Sequence, residues 1–325
     1  MRVATELFGV TFQNPVLLAA GTCGFGQELA DVLDVDAVGG FVTKSVTLEP
    51  RAGNPAPRVA EFAGGMINSV GLANPGLAAT KRDKLPWLAA NVRRAVVFVS
   101  VAGHSADEFY RLVEGMDGEA GFLGFELNLS CPNDTRRGGP PFALDPEAVR
   151  EVVSGCRART RRPLLAKLAP HDPDAGGTAA VATEAGADGL TLVNTVPGLL
   201  VEAATGASEL GAGDGGMSGP ALRPLGLRAL RDARPRTHLP LLGVGGILSP
   251  EDAVAYARCG ASLVQIGTAT FADPRAALRL AAGLERWGRE HGAASWSDLV
   301  AAAPPPRSEV DASDPGPMRE TRWRA

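Results

Sequence analysis

The chain has 325 residues, 45% hydrophobic and 21% charged, with a formal net charge of −4 at pH 7. That is enough apolar material for one large core or two ordinary ones. The slight acidic balance offers no broad cationic field for a nucleic-acid backbone, and no segment reaches the roughly 18 uncharged apolar residues of a membrane span, so the expectation is a cytoplasmic protein acting on small molecules.

Residues 3–14, which contain the short strand-like FGVTF, predict a small hairpin plugging one end of a barrel. Eight short apolar or β-branched runs follow: VLLAAG from Val16, FVTKS from Phe41, VVFVSV from Val96, GFELNLS from Gly124, LLAKL from Leu164, GLTLVNT from Gly189, LLGVGG from Leu241 and LVQIGT from Leu263. Runs without alternation suit strands covered on both faces. Most precede a stretch of helical spacing, and eight such units predict an α/β fold of the (β/α)8 TIM-barrel type, whose usual size is about 250 residues.

Helices are expected over Ser105–Met116, Asp145–Arg159, Ala175–Ala185, Pro220–Arg234, Pro250–Arg258 and Pro274–Glu290. Ser105, Asp145, Ser249 and Asp273 are the candidate N-caps, and Pro146, Pro250 and Pro274 fall at first helical positions. Between the second and third strands, residues 47–94 form an insertion too long for a simple connection; NPAPRV and GGMINSVGLANPG suggest a lid or binding excursion rather than a crossover helix. The barrel domain is expected to span 1–301, and the proline- and charge-rich residues 302–325 to be a disordered tail.

Cys23, Cys131, Cys156 and Cys259 are widely separated and show no CxxC spacing, so reduced thiols are expected and no metal or iron-sulfur site is predicted. Lys44, Asn128 with Cys131, Lys167, Asn194 with Thr195, Gly245 with Gly246, and Gly267 with Thr268 all fall at or just past the carboxyl ends of predicted strands, the end where such barrels place their chemistry. Two lysines there suggest an anionic or electron-rich ligand. The Gly-Gly and Gly-Thr pairs after strands seven and eight suit a phosphate held by backbone amides, although a tight turn alone would also use glycine. The bland alternatives are that Cys131 is a small buried filler, which the adjoining motif disfavours, that the asparagines cap turns and that the lysines are surface-reaching chains. GTCGFG at Gly21 lacks the spacing of a dinucleotide fingerprint.

Taken together, GFGQE at Gly24, TKSVTLEPR at Thr43, GNPAPRV at Gly53, GMINSVGLANPG at Gly65, ELNLSCPN at Glu126, AKLAP at Ala166, LVNT at Leu192, GGMSGP at Gly215, GVGG at Gly243 and IGTA at Ile266 closely resemble the class 1 dihydroorotate dehydrogenases over about residues 4 to 300. The resemblance implies an FMN-binding barrel that oxidises dihydroorotate to orotate in pyrimidine biosynthesis. It further implies that Cys131 is the base removing the C5 proton while the C6 hydride passes to N5 of FMN. Lys44, Asn68, Gly71, Leu72, Asn128, Asn133, Asn194 and Thr195 would surround the substrate. Ala20, Gly21, Lys44, Ser45, Asn128, Lys167 and Val193 would hold the flavin ring, with Lys167 near its N1 and O2. Gly219, Gly245, Gly246, Gly267 and Thr268 would hold its ribityl phosphate.

EPRAGNPAPRV, KLPWL at Lys84 and GGMSGP look most like the NAD-linked class 1B catalytic subunit, which implies FAD and a 2Fe-2S cluster on a separate electron-transfer subunit. A homodimer is the corresponding expectation. Fumarate as acceptor stays open, as do a related pyrimidine oxidoreductase of a specialised pathway and a non-catalytic flavin-binding scaffold. Two segments depart from the pattern: the Arg- and Pro-rich DTRRGGPPFALDP after Cys131, with Arg136 and Arg137, and the tail from Pro304. The run RARTRR from Arg157 reads as a charged helix end.

Overall fold

The structure, a computed structural model, describes residues 1–130 and 141–302. Cys131, Asn133, Arg136, Arg137 and the tail from Pro304 lie outside the described residues.

Eight parallel strands close a barrel: β1 (Val16–Leu18), β2 (Gly40–Val42), β3 (Val96–Val101), β4 (Gly124–Asn128), β5 (Leu164–Lys167), β6 (Gly189–Leu192), β7 (Leu241–Val244) and β8 (Ala261–Ile266). Each pairs with its neighbours in sequence, and β8 closes on β1 through Val264↔Val16 and Ile266↔Leu18. The (β/α)8 fold read from the sequence is therefore the fold observed.

Alternation along these strands separates two cores. Outward residues such as Val16, Leu18, Val97, Val99, Phe125, Leu127, Leu190 and Leu192 join the large cluster beneath the helices. Inward residues Leu17, Val42, Val96, Phe98, Leu165, Leu242 and Leu263 make a second cluster inside the barrel. The antiparallel hairpin Thr5–Leu7/Val10–Phe12 packs against this interior cluster, with Phe8 edge-on to both Phe12 and Phe98 at 6.4 and 5.8 Å. On the opposite side the inward positions turn polar. Glu126, Lys167, Thr191 and Gln265 are all buried, and they occupy inward registers of β4, β5, β6 and β8.

The crossover helices follow the predicted spacing with local differences. Ser105 caps Ala106–Met116, Asp145 caps Pro146–Arg157, and Ser249 with Asp252 forms a capping box on Pro250–Arg258. Asp273 is not a helix N-cap: the last crossover helix starts at Ala276, so Pro274 precedes it, and the Asp273 carboxylate instead accepts from the Arg275 N–H. Pro220–Leu222 is a 3-10 turn ahead of the helix Arg223–Ala233. A further short helix, Thr268–Ala272, directly follows β8.

The 47–94 insertion combines two roles that the sequence pattern does not separate. Its hairpin, Val59–Phe62 and Gly65–Asn68, joins Gly215–Ser218 and Val196–Gly198 in a four-stranded antiparallel sheet. Its second half is a continuous helical run, Gly76–Asn91, so a crossover helix is present after all. The RARTRR run is also more than a helix end. Arg157 pairs with Asp188 at 2.7 Å, and Arg162 donates to the carbonyls of Asp117 and Phe122 at 2.9 and 2.6 Å, stitching the approach to β5 onto its neighbours.

Candidate active site

The carboxyl ends of the strands open into one cleft, roofed by the four-stranded sheet, with about 1330 Å3 of free space, part of it open to solvent. Every predicted site residue that falls within the described residues lines this cleft, from Ala20 and Gly21 after β1 to Gly267 and Thr268 after β8. Cys131 and Asn133 lie outside the described residues.

Three amides reach the cleft from different elements, and a continuous line of hydrogen bonds orients two of them, Asn128 and Asn194. Ser100 on β3 bonds Ser45 at 2.8 Å, and Asn128 Nδ2 at the end of β4 donates to Ser45 Oγ at 3.2 Å. Asn194, just past β6, donates through Nδ2 to Asn128 Oδ1 and to Ser130 Oγ, each at 3.0 Å, and its Oδ1 accepts the Thr195 N–H at 2.8 Å. Ser130 Oγ in turn donates to the Lys167 carbonyl at 3.3 Å. The Thr195 N–H can only donate, so it fixes the flip of Asn194, and the Asn194 NH2 in turn fixes that of Asn128; the serine hydroxyls accommodate the result. Asn68 comes from the inserted hairpin and is held by the Gly216 carbonyl at 3.1 Å. Ser130, whose hydroxyl is anchored in this way, immediately precedes Cys131 in the sequence.

Two cations face the cleft. Lys44 is half-buried after β2, with its backbone N–H on the Gly24 carbonyl at 2.7 Å. Lys167 is buried at the end of β5, its ammonium 3.4 Å from Glu126 Oε1. Glu126 also accepts from Thr191 Oγ1 at 2.9 Å and Gln265 Nε2 at 3.1 Å. A carboxylate at zero exposure survives only with such partners, and this one balances the cation at the cleft floor. Glu126 is not among the residues singled out from the sequence, although it stands inside ELNLSCPN. The available signal is its spacing: residues 126 and 128 are two apart on one strand, so both face inward once strand β4 is recognised.

The glycine turns are spatially required. Gly245 and Gly246 have φ of 122° and 65°, and a Cβ on Gly246 would lie 2.9 Å from both the Arg223 Cβ and the Gly219 carbonyl oxygen. Thr268 Oγ1 donates to Ser218 Oγ at 2.8 Å, tying the end of β8 to the roof sheet. Residues at the rim that the sequence pattern does not flag include Val59, Leu248 and Phe271, all exposed and apolar. No group of three or more His, Cys, Asp or Glu among the described residues is arranged to hold a metal, and no described helix is long and apolar enough to cross a membrane.

The profile of the dihydroorotate dehydrogenase family matches residues 2–287. The chain belongs to the dihydroorotate dehydrogenase family. Family members are FMN-dependent oxidoreductases that convert dihydroorotate to orotate in pyrimidine biosynthesis, and this chain is an enzyme of that activity. Among its relatives, a putative dihydroorotate dehydrogenase A (fumarate) of Solibacter usitatus is 44% identical, over 92% of this chain and 97% of the relative. A dihydroorotate dehydrogenase B (NAD+) catalytic subunit of Desulforudis audaxviator is 43% identical, over 93% and 98%. The corresponding subunit of Pelobacter propionicus is 41% identical, over 92% and 98%. In fold, the chain superposes on the Eimeria tenella dihydroorotate dehydrogenase, solved with ferulenol, with a TM-score of 0.79 at 23% identity over 93% of this chain and 88% of that one.

The dihydroorotate dehydrogenase cofactor fits these residues. Gly21, Gly245 and Gly246 leave backbone exposed to the cleft where a flat ring and a phosphate need close approach, and the two lysines supply positive charge for a ligand that gains electrons.

Proposed function

We propose that the chain performs its family reaction in this cleft with Cys131 as base, and that the convergence of Lys44, Lys167, Asn68, Asn128 and Asn194 on one surface is the observation that carries the assignment. In this reading Ala20, Gly21, Lys44, Ser45, Asn128, Lys167 and Val193 hold the flavin ring, and Gly219, Gly245, Gly246, Gly267 and Thr268 hold its phosphate. FMN, when bound, supplies the two-electron acceptor for the hydride at C6 of dihydroorotate.

The chain's own residues do the rest. Asn68, Asn128, Asn133 and Asn194 offer donors and acceptors to the amide edges and carboxylate of the substrate, with Gly71, Leu72 and Thr195 completing its walls. Lys44 and Lys167 stabilise negative charge as it develops, acting most strongly once bound cofactor and substrate exclude water from the cleft. Cys131, delivered by the anchored Ser130, takes the C5 proton; an unperturbed thiol, with a pKa of roughly 8.5, is a usable base near neutral pH.

For the acceptor, we favour NAD reached through a separate subunit carrying FAD and a 2Fe-2S cluster, as the motifs EPRAGNPAPRV, KLPWL and GGMSGP suggest. Relatives named for fumarate and for NAD+ are similarly close, so fumarate is the specific alternative. The working form is a cytoplasmic homodimer, with residues 1–301 as one catalytic domain and 302–325 as an appended tail.

The test is anaerobic: dihydroorotate added to the yellow protein should bleach it, and Cys131→Ala should keep its flavin while bleaching at least 100-fold more slowly. Fast reduction of the variant would remove Cys131 from the mechanism. Adding fumarate to the reduced enzyme then separates the two acceptors, since rapid return of colour without a partner would exclude the NAD-linked assignment.

A further inference from the structure

The buried Tyr256 has no part in the reading above, yet it sits directly behind the Gly245–Gly246 turn. It stands on the helix Pro250–Arg258, whose capping box and Arg223–Asp252 ion pair anchor its first turn against the helix Arg223–Ala233. Its ring occupies a slot that glycines leave open: a Cβ on Gly226 would overlap the Tyr256 hydroxyl, and one on Gly243 would overlap the ring edge. The hydroxyl lies 2.7 Å from the Gly245 carbonyl oxygen and 3.1 Å from that of Val244. Burial pushes its pKa up, so it stays a protonated donor.

A trans peptide is planar, with its C=O and N–H on opposite sides. Drawing the Gly245 carbonyl toward the hydroxyl therefore turns the Gly246 N–H the other way, toward the cleft that Gly246 lines, while the Val244 carbonyl also accepts the Val193 N–H at 3.3 Å. Among the described residues no carbonyl outside the strand ladders takes the Gly246 N–H, and Gly246 belongs to no ladder. A free backbone donor on a turn held from behind can meet an anion without a cationic side chain.

We infer that Tyr256 is a positioning residue for phosphate: its hydroxyl pre-sets the Gly245–Gly246 peptide so that the Gly246 amide faces the phosphate of the cofactor. This rests on the assignment of that turn to the FMN phosphate. It predicts that Tyr256 acts on the phosphate end of the ligand alone, since its hydroxyl bonds nothing at the ring end of the cleft.

The experiment strips flavin from the full chain and titrates it with FMN and with riboflavin, which carries the same ring and ribityl chain without phosphate. Wild type should bind FMN much more tightly than riboflavin. Tyr256→Phe should weaken FMN at least tenfold and leave riboflavin within twofold, and that unchanged riboflavin affinity certifies an intact fold. Gly246→Ala, which perturbs the turn directly, should show the same FMN-only loss. If Gly246→Ala loses FMN selectively and Tyr256→Phe does not, the inference fails while the phosphate assignment stands. If wild type does not distinguish the two flavins, or neither variant affects FMN, the assignment fails and takes the inference with it. Equal loss of both flavins in Tyr256→Phe marks general loosening and overturns the positioning role.

Discussion

Glu126 and Lys167 meet inside the barrel, Oε1 3.4 Å from Nζ, with the carboxylate side chain fully buried and the ammonium side chain 6% exposed. Their strands are adjacent, and the register Glu126↔Leu165 and Asn128↔Lys167 staggers the two charges diagonally across one face. A pair this deep is costly to break, because the remaining partner stays charged in a poor solvent. Glu126→Gln and Lys167→Met are each expected to cost about 3–5 kcal/mol in urea unfolding. The double variant should cost clearly less than the sum. Strict additivity would show that the two groups do not support each other.

Asn194 joins Asn128, Ser130 and Thr195 in one hydrogen-bonded unit at the cleft. If Asn194 binds substrate as proposed, Asn194→Ala removes that contact and also takes one hydrogen-bond partner from the Asn128 amide. The expected loss in kcat/KM for dihydroorotate is about 10- to 100-fold, with flavin still bound. Unchanged steady-state kinetics would place the substrate elsewhere in the cleft.

Thiol chemistry offers an independent handle on Cys131. Burial pushes the Cys23 thiol up to about 12, with Glu28 nearby adding to the effect, and burial does the same for Cys156 despite two neighbouring arginines. Neither forms appreciable thiolate at pH 8. Iodoacetamide at that pH should inactivate the enzyme without labelling either, and orotate should protect. Inactivation that tracks labelling of Cys23 or Cys156, read by peptide mass spectrometry, would contradict this.

Acid stability has a named contributor in Asp36. Burial raises its pKa, but backbone N–H groups of Ala95, Arg94 and Arg93, together with the Arg94 side chain, outweigh that and leave it lowered. All three amides converge on Oδ1 at 2.6–2.9 Å, tying the turn before β2 to the start of β3. A lowered folded pKa stabilises above the ordinary carboxylate value, about 3.9, and the contribution is lost as pH falls through the folded value. Asp36→Asn should therefore cost about 1–2 kcal/mol at pH 7, and the gap to wild type should close below about pH 4. A gap equal at pH 7 and pH 3 would assign the effect to packing instead.

Much of this protein is local in origin and so is legible in the sequence alone. All eight barrel strands announce themselves as short apolar runs, because a strand covered on both faces has no polar side to interrupt it. Strand-end positions follow at once, which is why Lys44, Asn128, Lys167 and Asn194 stand out as site residues from their place in the chain, and why the motif resemblance points to the right family. The N-caps at Ser105, Asp145 and Ser249 are equally legible, since a cap is set by residues three apart.

What only the tertiary structure decided depends on contacts between distant segments. The roof pairs residues 59–68 with 196–218, and nothing in the glycine-rich second segment declares a partner more than a hundred residues away. Glu126 gains its meaning from Lys167, Thr191 and Gln265 on three other strands, and Tyr256 from glycines on β7 and a neighbouring helix that leave it a slot. Hydrophobic period and cap chemistry are properties of a few consecutive residues, whereas the balancing of a buried charge or the aiming of a peptide N–H exists only once closure of the barrel brings separate strands together.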